Sequence, residues 1–470
     1  MTKRKKTNTK NVTVVIYRTA LIRSMEMTKT QIANRINDKV LAPVKLFLGQ
    51  EKSGGVVLAV SVVLAMVLAN SALGASCHDF FQQKFGFVWN GETYFNFTLH
   101  HWINDGLMSV FFFLVGLELK REFIAGELSD LRNTVLPIGA AVGGMLTPAM
   151  IYLLLNAGTS ESVGWGIPMA TDIAFALSVV CLLGSRVPSS VKVFLTTLAI
   201  VDDLGAVIVI ALFYTSEISL VHLLLGLGFL LLMFVGNKLG VKTLFFYALL
   251  GIGGVWVCFL LSGVHATIAA VLAAMTVPAD SAIDENTFLH RVRKLTKRFD
   301  AAETNDVRTL EKEQVEILSR IHKDTTTAIP PLQLAEHYLN PVVTFAVLPV
   351  FAFANAGVNL VGIDWTAVFA TNVTLGVTLG LLLGKPFGVI GVSWLLCRLG
   401  LARIPETMTI RQLLGLGFLA SIGFTMSMFV STLAFQTDMM LTQSKIGVFI
   451  ASILGGLIGY KLLKSAGKEN

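Results

Sequence analysis

The run from Val193 to Phe213 most constrains what this chain can fold into, because it is long and apolar yet holds two adjacent carboxylates, Asp202 and Asp203, at its centre. A run of this length can cross a bilayer. Each aspartate at such a depth costs roughly 2.5 to 3.5 kcal/mol on insertion scales. A chain keeps such a pair where something is bound or titrated, so the pair predicts a cation or proton site.

One alternative is a buried helix of a large soluble protein, in which arginine or lysine pairs with the aspartates. The composition argues against it. Hydrophobic residues make up 54% of the 470 residues and charged residues 14%, and the mean hydropathy is +0.70. Such a chain holds more apolar surface than a globular core of this size needs. The sequence therefore predicts an all-α polytopic membrane protein.

Hydrophobic windows of bilayer length predict about twelve transmembrane helices. The predicted spans are residues 54–75, 103–124, 135–156, 164–184, 191–214, 219–236, 242–261, 263–278, 341–360, 374–397, 412–434 and 444–464. Basic residues cluster in the tails and in the loops on one side of these spans, whereas the opposite loops carry almost none besides Lys84 and Lys445. Because positive loops stay inside, both termini are predicted to be cytoplasmic.

The spans divide the chain into five segments. They are a basic cytoplasmic tail (1–53), spans one to eight (54–279), a cytoplasmic insert (280–340), spans nine to twelve (341–464) and a short cytoplasmic tail (465–470). In the first tail, apolar residues recur at helical spacing from Ile32 to Phe47, which suits a helix lying on the inner leaflet. The alternatives are a disordered tail, or translation that begins at Met25 or Met27.

The insert is the longest break between spans. Apolar stripes at helical spacing, one from Phe288 to Phe299 and one from Val307 to Ile321, predict two amphipathic helices that end before Pro330-Pro331. Their mixed charge indicates a solvated face. The formal net charge of +7 is explained by membrane topology elsewhere, so no nucleic-acid partner is expected.

Residues 85–97, in the first outer loop, alternate in polarity around Asn90-Gly91, a turn signal of type I′. They predict a small periplasmic β-hairpin. Two interpretations of its uncovered apolar face stay open. The hairpin pairs through its exposed edge with a second subunit, or it folds back onto the membrane face.

Two spans carry polar breaks. In the fourth, Pro168 is followed by Thr171 and Asp172, where a helix can stop and restart, with Thr171 as a helix cap and Asp172 offsetting the positive end of the second half-helix. In the eleventh, residues 420–425 form a second weak point. The alternative in either place is close helix packing through small residues.

The tenth span contains a single lysine, Lys385. An isolated lysine at that depth must be neutral or have a carboxylate partner. The carboxylates at similar depth are Asp172, Asp202 and Asp203. Adjacent helical residues point about 100° apart, so Asp202 and Asp203 can hardly face the same group. We expect one of them to pair with Lys385 and the other to bind the cation.

The order of these features is repeated. Spans 3–5 contain a broken helix and then the aspartate pair, and spans 10–12 contain the lysine and then a second broken helix. An offset of seven spans reverses the direction across the membrane. This arrangement is typical of inverted-repeat transporters, in which two discontinuous helices cross at the midplane.

Several segments together resemble one known family. They are Val115–Glu122, Ala170–Leu177, Ala199–Ala206, Ser262–Thr267, Phe351–Val358 and Gly384–Pro386. In this order they closely resemble the NhaA family of bacterial Na+/H+ antiporters, itself a known example of the inverted-repeat architecture. The resemblance extends from about Ser53 to the C-terminus.

The resemblance implies a secondary transporter rather than an enzyme, in the bacterial cytoplasmic (inner) membrane, with Na+, Li+ and H+ as transported ions and no cofactor. It implies that Asp203 is the principal ligand of Na+ or Li+, and that Asp202 pairs with Lys385 or shares the cation. Asp172 with Thr171 is implied to stabilise the helix crossing. The hairpin is implied to form a homodimer contact.

The predicted chemistry is competition at one site. A carboxylate shielded from water holds either a proton or a hard cation that prefers oxygen ligands, but not both. If the site faces each side in turn and cannot cross empty, protons that enter down their gradient expel sodium. If Lys385 also loses a proton when the cation binds, transport is electrogenic, as the family implies. The sequence alone permits either stoichiometry.

Charged and titratable residues lie at the cytoplasmic ends of the second and ninth spans, namely Glu118, Lys120, Arg121, Glu122, Glu336 and His337. In related antiporters such a cluster resembles the pH sensor, and coupled titration near neutrality makes this reasonable. The alternative is an interfacial cluster that only sets topology. His265, in the eighth span, is expected to be a hydrogen-bonded packing residue rather than a ligand.

Two other functions are consistent with a polytopic protein. A Na+-coupled symporter of an organic anion would need an additional substrate-binding cluster of Arg, Asn or Ser, and none is evident in the sequence. A passive cation channel would need rings of carboxylates or carbonyls rather than a lysine beside them.

Overall fold

The structure is a computed structural model, and it describes residues 53–90, 92–126, 128, 131–215, 218–302, 309–360, 365–405 and 408–466. Contacts divide the chain into one unit of residues 1–54 and a second of residues 55–470. The predicted N-terminal tail lies outside the described residues except for Ser53, and so do residues 467–470 of the predicted C-terminal tail.

Helices account for most of the described chain. In order, the elements are α1 (Ser53–Ala69), α2 (Gly74–Gln82), β1 (Lys84–Trp89), β2 (Glu92–Thr98), α3 (Leu99–Ala125), α4 (Leu131–Asn156), a 3-10 helix (Ser160–Met169), α5 (Ile173–Leu183), α6 (Ser189–Phe213), α7 (Leu220–Lys238), α8 (Leu244–Ser262), α9 (Ala266–Thr276), α10 (Glu285–Ala301), α11 (Lys312–Ala328), α12 (Pro331–Asn355), α13 (Trp365–Ala370), α14 (Asn372–Arg398), α15 (Ile410–Ala420), α16 (Phe424–Ala434) and α17 (Asp438–Ala466). Among the described residues, nine helices are long and apolar enough to cross a membrane, or up to eleven if each of two bent pairs is one span. The chain is therefore a multi-pass membrane protein.

The spans differ from the predicted twelve in two places. α1 and α2 meet at 110°, so the first predicted span, residues 54–75, is not one straight helix. α9 has 11 residues, and a helix of that length reaches about 16 Å, far short of a hydrocarbon core of about 30 Å. The count of twelve spans and the inverted repeat therefore stay predictions.

The ninth predicted span begins earlier than expected. α12 starts at Pro331 rather than at residue 341. A proline in the first turn of a helix has no N–H that needs an intrahelical partner, and its φ angle is already suitable. Glu336 and His337, placed before the span by hydropathy, are consequently helical.

α6 lies inside the bundle, whereas α7 lies at its edge. In the most apolar 18-residue stretch, 67% of the residues are buried in α3 and in α6, but only 17% in α7. Helices that are apolar on all sides can face either lipid or protein, so the sequence alone does not separate the two. The interior position of α6 places its polar side chains away from lipid.

α4 and α14 pack closely at glycines. A Cβ atom added to Gly388 would clash with the backbone carbonyl of Gly143, and one added to Gly143 would clash with that of Gly388. Backbones approach this closely in membranes where both helices present small residues. The contact fixes the helix that carries Lys385 against the bundle.

The predicted hairpin is present. β1 and β2 are antiparallel, with Phe87 opposite Tyr94, and Asn90 in the turn has a left-handed φ of 53°. Asparagine tolerates this conformation better than most residues. Phe85, Phe87 and Tyr94 are exposed on the ribbon, so its apolar face is uncovered in a single chain.

The insert forms the two predicted helices, α10 and α11, which bury Leu295 and Ile317 from the two stripes. Val307 of the second stripe lies outside the described residues. Asp284 caps α10 by accepting a hydrogen bond from the Thr287 N–H at 3.1 Å. Hydrogen bonds from the side chain and backbone of Thr287 hold the pKa of Asp284 below its usual value.

The glycine contact between α4 and α14 is testable by adding one methyl group. Gly388→Ala is expected to lower the thermal unfolding temperature of the purified protein in detergent, because overpacking costs about 1–3 kcal/mol. Gly391→Ala, three residues along the same helix with no neighbouring atom within 4 Å, is the matched control and should leave the temperature unchanged or raise it. Equal unfolding temperatures for the two variants would contradict the close approach.

Candidate functional site

The fourth span is interrupted, as predicted. Between the 3-10 helix and α5, residues 170–172 are not helical. Asp172 is the N-cap of α5, and its Oδ1 accepts a hydrogen bond from the Phe175 N–H at 3.1 Å. The prediction that Thr171 is the cap is wrong, because the helix begins one residue later and the Thr171 hydroxyl is directed elsewhere.

The eleventh span is also interrupted, and the two breaks touch. α15 and α16 meet at 41° across residues 421–423. Asp172 Oδ2 accepts hydrogen bonds from Thr425 at the start of α16, from its N–H at 2.9 Å and its hydroxyl at 2.6 Å. The Asp172 N–H donates to the Ile422 carbonyl at 2.6 Å. One buried carboxylate therefore serves the N-termini of two half-helices, where negative charge is favoured.

Asp202 and Lys385 are in direct contact. Both side chains are fully buried, and Lys385 Nζ donates to Asp202 Oδ2 at 2.5 Å. Asp202 lies in the middle of α6, and Lys385 follows a short π-helical segment of α14, Gly380–Gly384. Such segments locally re-aim side chains and are frequent at functional sites.

Thr171 links this pair to the helix breaks. Its hydroxyl accepts a hydrogen bond from Lys385 Nζ at 3.0 Å and lies 2.7 Å from Asp202 Oδ2 and 2.9 Å from the Ala420 carbonyl. A hydroxyl has one hydrogen to donate. It therefore donates either to Asp202 or to Ala420 at the end of α15, not to both at once.

Asp203 has no such partner. Its side chain is 2% exposed, and its Oδ1 accepts no hydrogen bond from any described residue. Asp202 Oδ1 is likewise buried and unpartnered within the described chain. Buried polar atoms are rarely left in this state. Each of the two aspartates thus presents one acceptor oxygen that can take a proton or a cation.

The described residues contain no group of three or more His, Cys, Asp or Glu side chains that could hold a metal ion. A cation at Asp203 would need further oxygen ligands from hydroxyl groups, backbone carbonyls or water.

The structure brings together most of the predicted pH-sensing residues. Arg121 contacts Glu122 at 3.2 Å and reaches across to Glu336 of α12 at 3.0 Å. Glu118, one turn earlier in α3, lies within electrostatic reach of all three. His337 does not join them: it is exposed, and its ring lies against Tyr338.

Lys120, which the sequence groups with that cluster, has a different position. Its Nζ donates to the carbonyls of Met275, at 2.8 Å, and Val277, at the C-terminal end of α9. A lysine there satisfies carbonyls that lack intrahelical partners and complements the helix dipole. The contact could not be anticipated, since it joins two helices whose contacting residues lie more than a hundred positions apart in the chain.

The structure contains a second polar network inside the bundle that the sequence analysis does not predict. His100 Nε2 lies 3.1 Å from Asn355 Oδ1, Asn355 Nδ2 donates to Asn104 Oδ1 at 2.9 Å, and Asn104 Nδ2 lies 3.4 Å from His100 Nδ1. The ring of three side chains ties α3 to α12. The sequence signal that could have indicated this network is the presence of two asparagines, Asn104 and Asn355, within apolar runs. His265, expected to be hydrogen-bonded, has its Nε2 2.8 Å from the Tyr214 carbonyl.

Comparisons with known proteins identify similar sequences. A family model described as Na+/H+ antiporter 1 matches residues 45–463. The Na(+)/H(+) antiporter NhaA 2 of Syntrophotalea carbinolica is 47% identical over 426 residues, which cover 90% of this chain and 96% of that protein. The Na(+)/H(+) antiporter NhaA of Oleidesulfovibrio alaskensis is 46% identical over 428 residues, covering 91% and 94%. That of Helicobacter pylori is 45% identical over 418 residues, covering 88% and 93%.

The hydrogen bond between Thr425 and Asp172 can be removed without changing side-chain size. Thr425→Val is expected to lower the thermal unfolding temperature in detergent, because a buried carboxylate then lacks one donor, a loss of about 1–3 kcal/mol. Thr432→Val in the same helix loses only a bond to the Phe429 carbonyl, at 2.8 Å, and should be affected less. A Thr425→Val protein as stable as the wild type would show that the hydroxyl bond does not contribute, and would leave only the bond from the Thr425 N–H to hold Asp172 against α16.

Proposed function

Because the chain belongs to the Na+/H+ antiporter 1 family, we propose that Asp202, Asp203 and Lys385 form the site at which it exchanges Na+ or Li+ for H+. It works as a secondary transporter, with no catalytic step and no cofactor. Exchange expels sodium from the cytoplasm at the expense of the proton gradient.

The observation that carries this proposal is an imbalance of buried charge. The two neighbouring aspartates in α6 share one lysine, and that lysine contacts Asp202. Among the described residues, no cationic side chain lies within ion-pair distance of Asp203. A buried carboxylate without a partner is stable only when a proton or a cation neutralises it. Both are monovalent, so one excludes the other.

We assign the principal cation ligand to Asp203 and the supporting roles to its neighbours. Asp202 either stays paired with Lys385 or releases it and shares the cation. Thr171 supports both states, because its hydroxyl contacts Lys385 and Asp202 alike. Asp172 stabilises the crossing of the two interrupted helices through its bonds to α5 and α16.

Lys385 provides a route to electrogenic exchange. While it contacts Asp202, its charge is balanced within a buried pair. If the incoming cation takes the place of the ammonium group, Lys385 is left buried without a carboxylate and releases its own proton. More than one proton then moves per Na+, and each cycle carries net charge across the membrane.

We further propose the orientation given by the charge of the loops. Both termini and the insert (280–340) lie in the cytoplasm, the hairpin lies in the periplasm, and segments 54–279 and 341–464 span the bacterial inner membrane. Spans 3–5 and 10–12 are inverted repeats. The contact between the two interrupted helices, at Asp172 and Ile422, supports this arrangement.

The hairpin is proposed to form a homodimer contact. Phe85 and Phe87 are 59% and 60% exposed on a two-stranded ribbon, which is marginally stable alone in water. Pairing with a second copy covers this face. Native mass spectrometry of the purified protein tests this, and one copy per particle in mild detergent would contradict it.

The charged cluster formed by Glu118, Arg121, Glu122 and Glu336 is proposed to regulate transport by pH. Its ion pair between Arg121 and Glu336 joins α3 to α12. Protonation of the glutamates weakens the ion pair between Arg121 and Glu336. A fall in cytoplasmic pH therefore loosens the contact between α3 and α12.

Exchange through Asp203 can be tested in proteoliposomes that contain a pH-sensitive dye. Addition of Na+ or Li+ should dissipate an imposed pH gradient with the wild type, and Asp203→Asn should reduce the signal to that of empty liposomes, because an amide cannot exchange a proton for a cation. Asp284→Asn, which alters an exposed carboxylate in the insert, is the control and should behave as the wild type. Continued exchange by the double Asp202→Asn/Asp203→Asn variant would refute the site.

The same liposomes separate the alternatives. An inside-negative potassium diffusion potential should accelerate Na+ exit if more than one proton enters per Na+, and should have no effect on a one-for-one exchanger. A symporter would give no signal until its organic substrate was added, and a channel would conduct Na+ without moving protons.

The pH role of the cluster is tested by Glu336→Gln. The remaining glutamates lose a like-charged neighbour and release their protons more readily, so the curve of activity against pH should move toward acid pH. His337→Ala, which alters an exposed side chain outside the ion pairs, should leave the curve in place. An unmoved curve for Glu336→Gln would show that the cluster only sets topology.

A further inference from the structure

A cleft in the insert concentrates positive charge. It lies between α10 and α11, has a volume of about 270 Å³, and is lined by Arg291, Lys294, Arg298, Arg320, Lys323 and Asp324 together with one leucine. Contacts from Arg291 to Asp324 and from Arg298 to Glu313 show that the two helices are antiparallel. Five basic side chains and a single acidic one therefore line a space between two packed helices.

Both helices contribute basic residues to the cleft, and the spacing of these residues places them on one face of each helix. Arg291, Lys294 and Arg298 recur at intervals of three and four residues, which places them on one face of α10. Arg320 and Lys323 are three residues apart on α11. Each helix thus directs its basic face toward the other, although like charges that face each other repel.

The carboxylates nearby do not balance this charge. Arg291 contacts Asp324 at 3.4 Å, Arg298 contacts Glu313 at 3.3 Å, and Arg320 contacts Glu316 at 2.7 Å. Glu313 and Glu316 are more than half exposed, at 57% and 60%, so these pairs contribute little stability.

The two lysines of the cleft are the excess charge. Within the part of the chain that the structure describes, neither Lys294 nor Lys323 forms an ion pair. Among the described residues, five basic side chains of the cleft face three carboxylates, which leaves the two lysines without an ion pair on opposite walls of the cleft. A bound anion of charge −2 would cancel that excess and remove the repulsion between the helices.

We propose that this cleft binds a phosphate-bearing anion. A phosphate group carries up to two charges, and its oxygens match the fork of an arginine guanidinium, while lysines supply point charges. The volume lies just below the range of about 300–1,000 Å³ typical of sites for drug-sized ligands, so a small phosphate group fits better than a nucleic-acid strand. The group belongs either to the head of an anionic phospholipid or to a soluble phosphorylated compound.

The experiment uses the full-length purified protein in detergent and inorganic pyrophosphate as the probe, titrated by isothermal calorimetry at low salt. We expect saturable binding that weakens as salt is added. Lys294→Gln/Lys323→Gln removes the unbalanced charges and should weaken binding about tenfold or more.

The matched control is Arg293→Gln/Lys297→Gln, because it removes the same total charge from the insert at two exposed residues of α10 outside the cleft. It should bind as the wild type does. If both double variants lose pyrophosphate affinity equally, binding depends only on the total charge of the insert and not on the cleft. That result would overturn the proposal. Absence of saturable binding by the wild type would also overturn it.

A second arm identifies the source of the phosphate group. The protein is placed in nanodiscs of phosphatidylcholine alone or with phosphatidylglycerol, and pyrophosphate is titrated again. Pyrophosphate binding that is weaker in the phosphatidylglycerol discs than in phosphatidylcholine discs given the same surface charge by a fatty acid assigns the cleft to a lipid head group, because repulsion by the surface is then equal. Equal binding in both kinds of disc assigns it to a soluble phosphorylated compound.

Discussion

Backbone and side-chain polar groups that lie inside a membrane-spanning bundle must find partners within the protein, since lipid offers none. Two spans stop and restart, and each stop frees N–H and C=O groups that a continuous helix would pair. Asp172, Thr171 and Thr425 supply the missing partners across the two breaks. Helix packing keeps these side chains within hydrogen-bonding distance. It includes the glycine contact of α4 with α14 and the interior position of α6.

The aspartates of α6 outnumber the lysine that can neutralise them. α6 brings two carboxylates into a region that receives one lysine, and the lysine is committed to Asp202. The third buried carboxylate, Asp172, accepts its hydrogen bonds from the first turns of two half-helices. Asp203 has no cationic partner among the described residues, and our proposal places the exchanged ion there.

The sequence was informative wherever a residue type was out of place in an apolar run. Asp202, Asp203, Lys385 and both helix breaks could be predicted on that basis, and so could the hairpin from its Asn-Gly turn. Residue types and spacing alone left open whether Asp202 or Asp203 pairs with Lys385, because that depends on the rotation of α6 against α14. The family resemblance implied Asp202, which is the residue in contact with Lys385. The prediction of Thr171 as the cap fails because both residue types can cap a helix, so composition does not show that the helix begins after Asp172. Contacts between helices far apart in the chain, such as Lys120 with the end of α9, have no local sequence signal.

Asp172 accepts hydrogen bonds from the first turns of α5 and α16 at the same time, with two different oxygens. Neither half-helix can tilt away from the other without breaking a bond to a buried charge. Any relative movement of the two first turns therefore has to be small enough to keep these bonds, or has to leave part of a carboxylate without donors in a place that water does not reach.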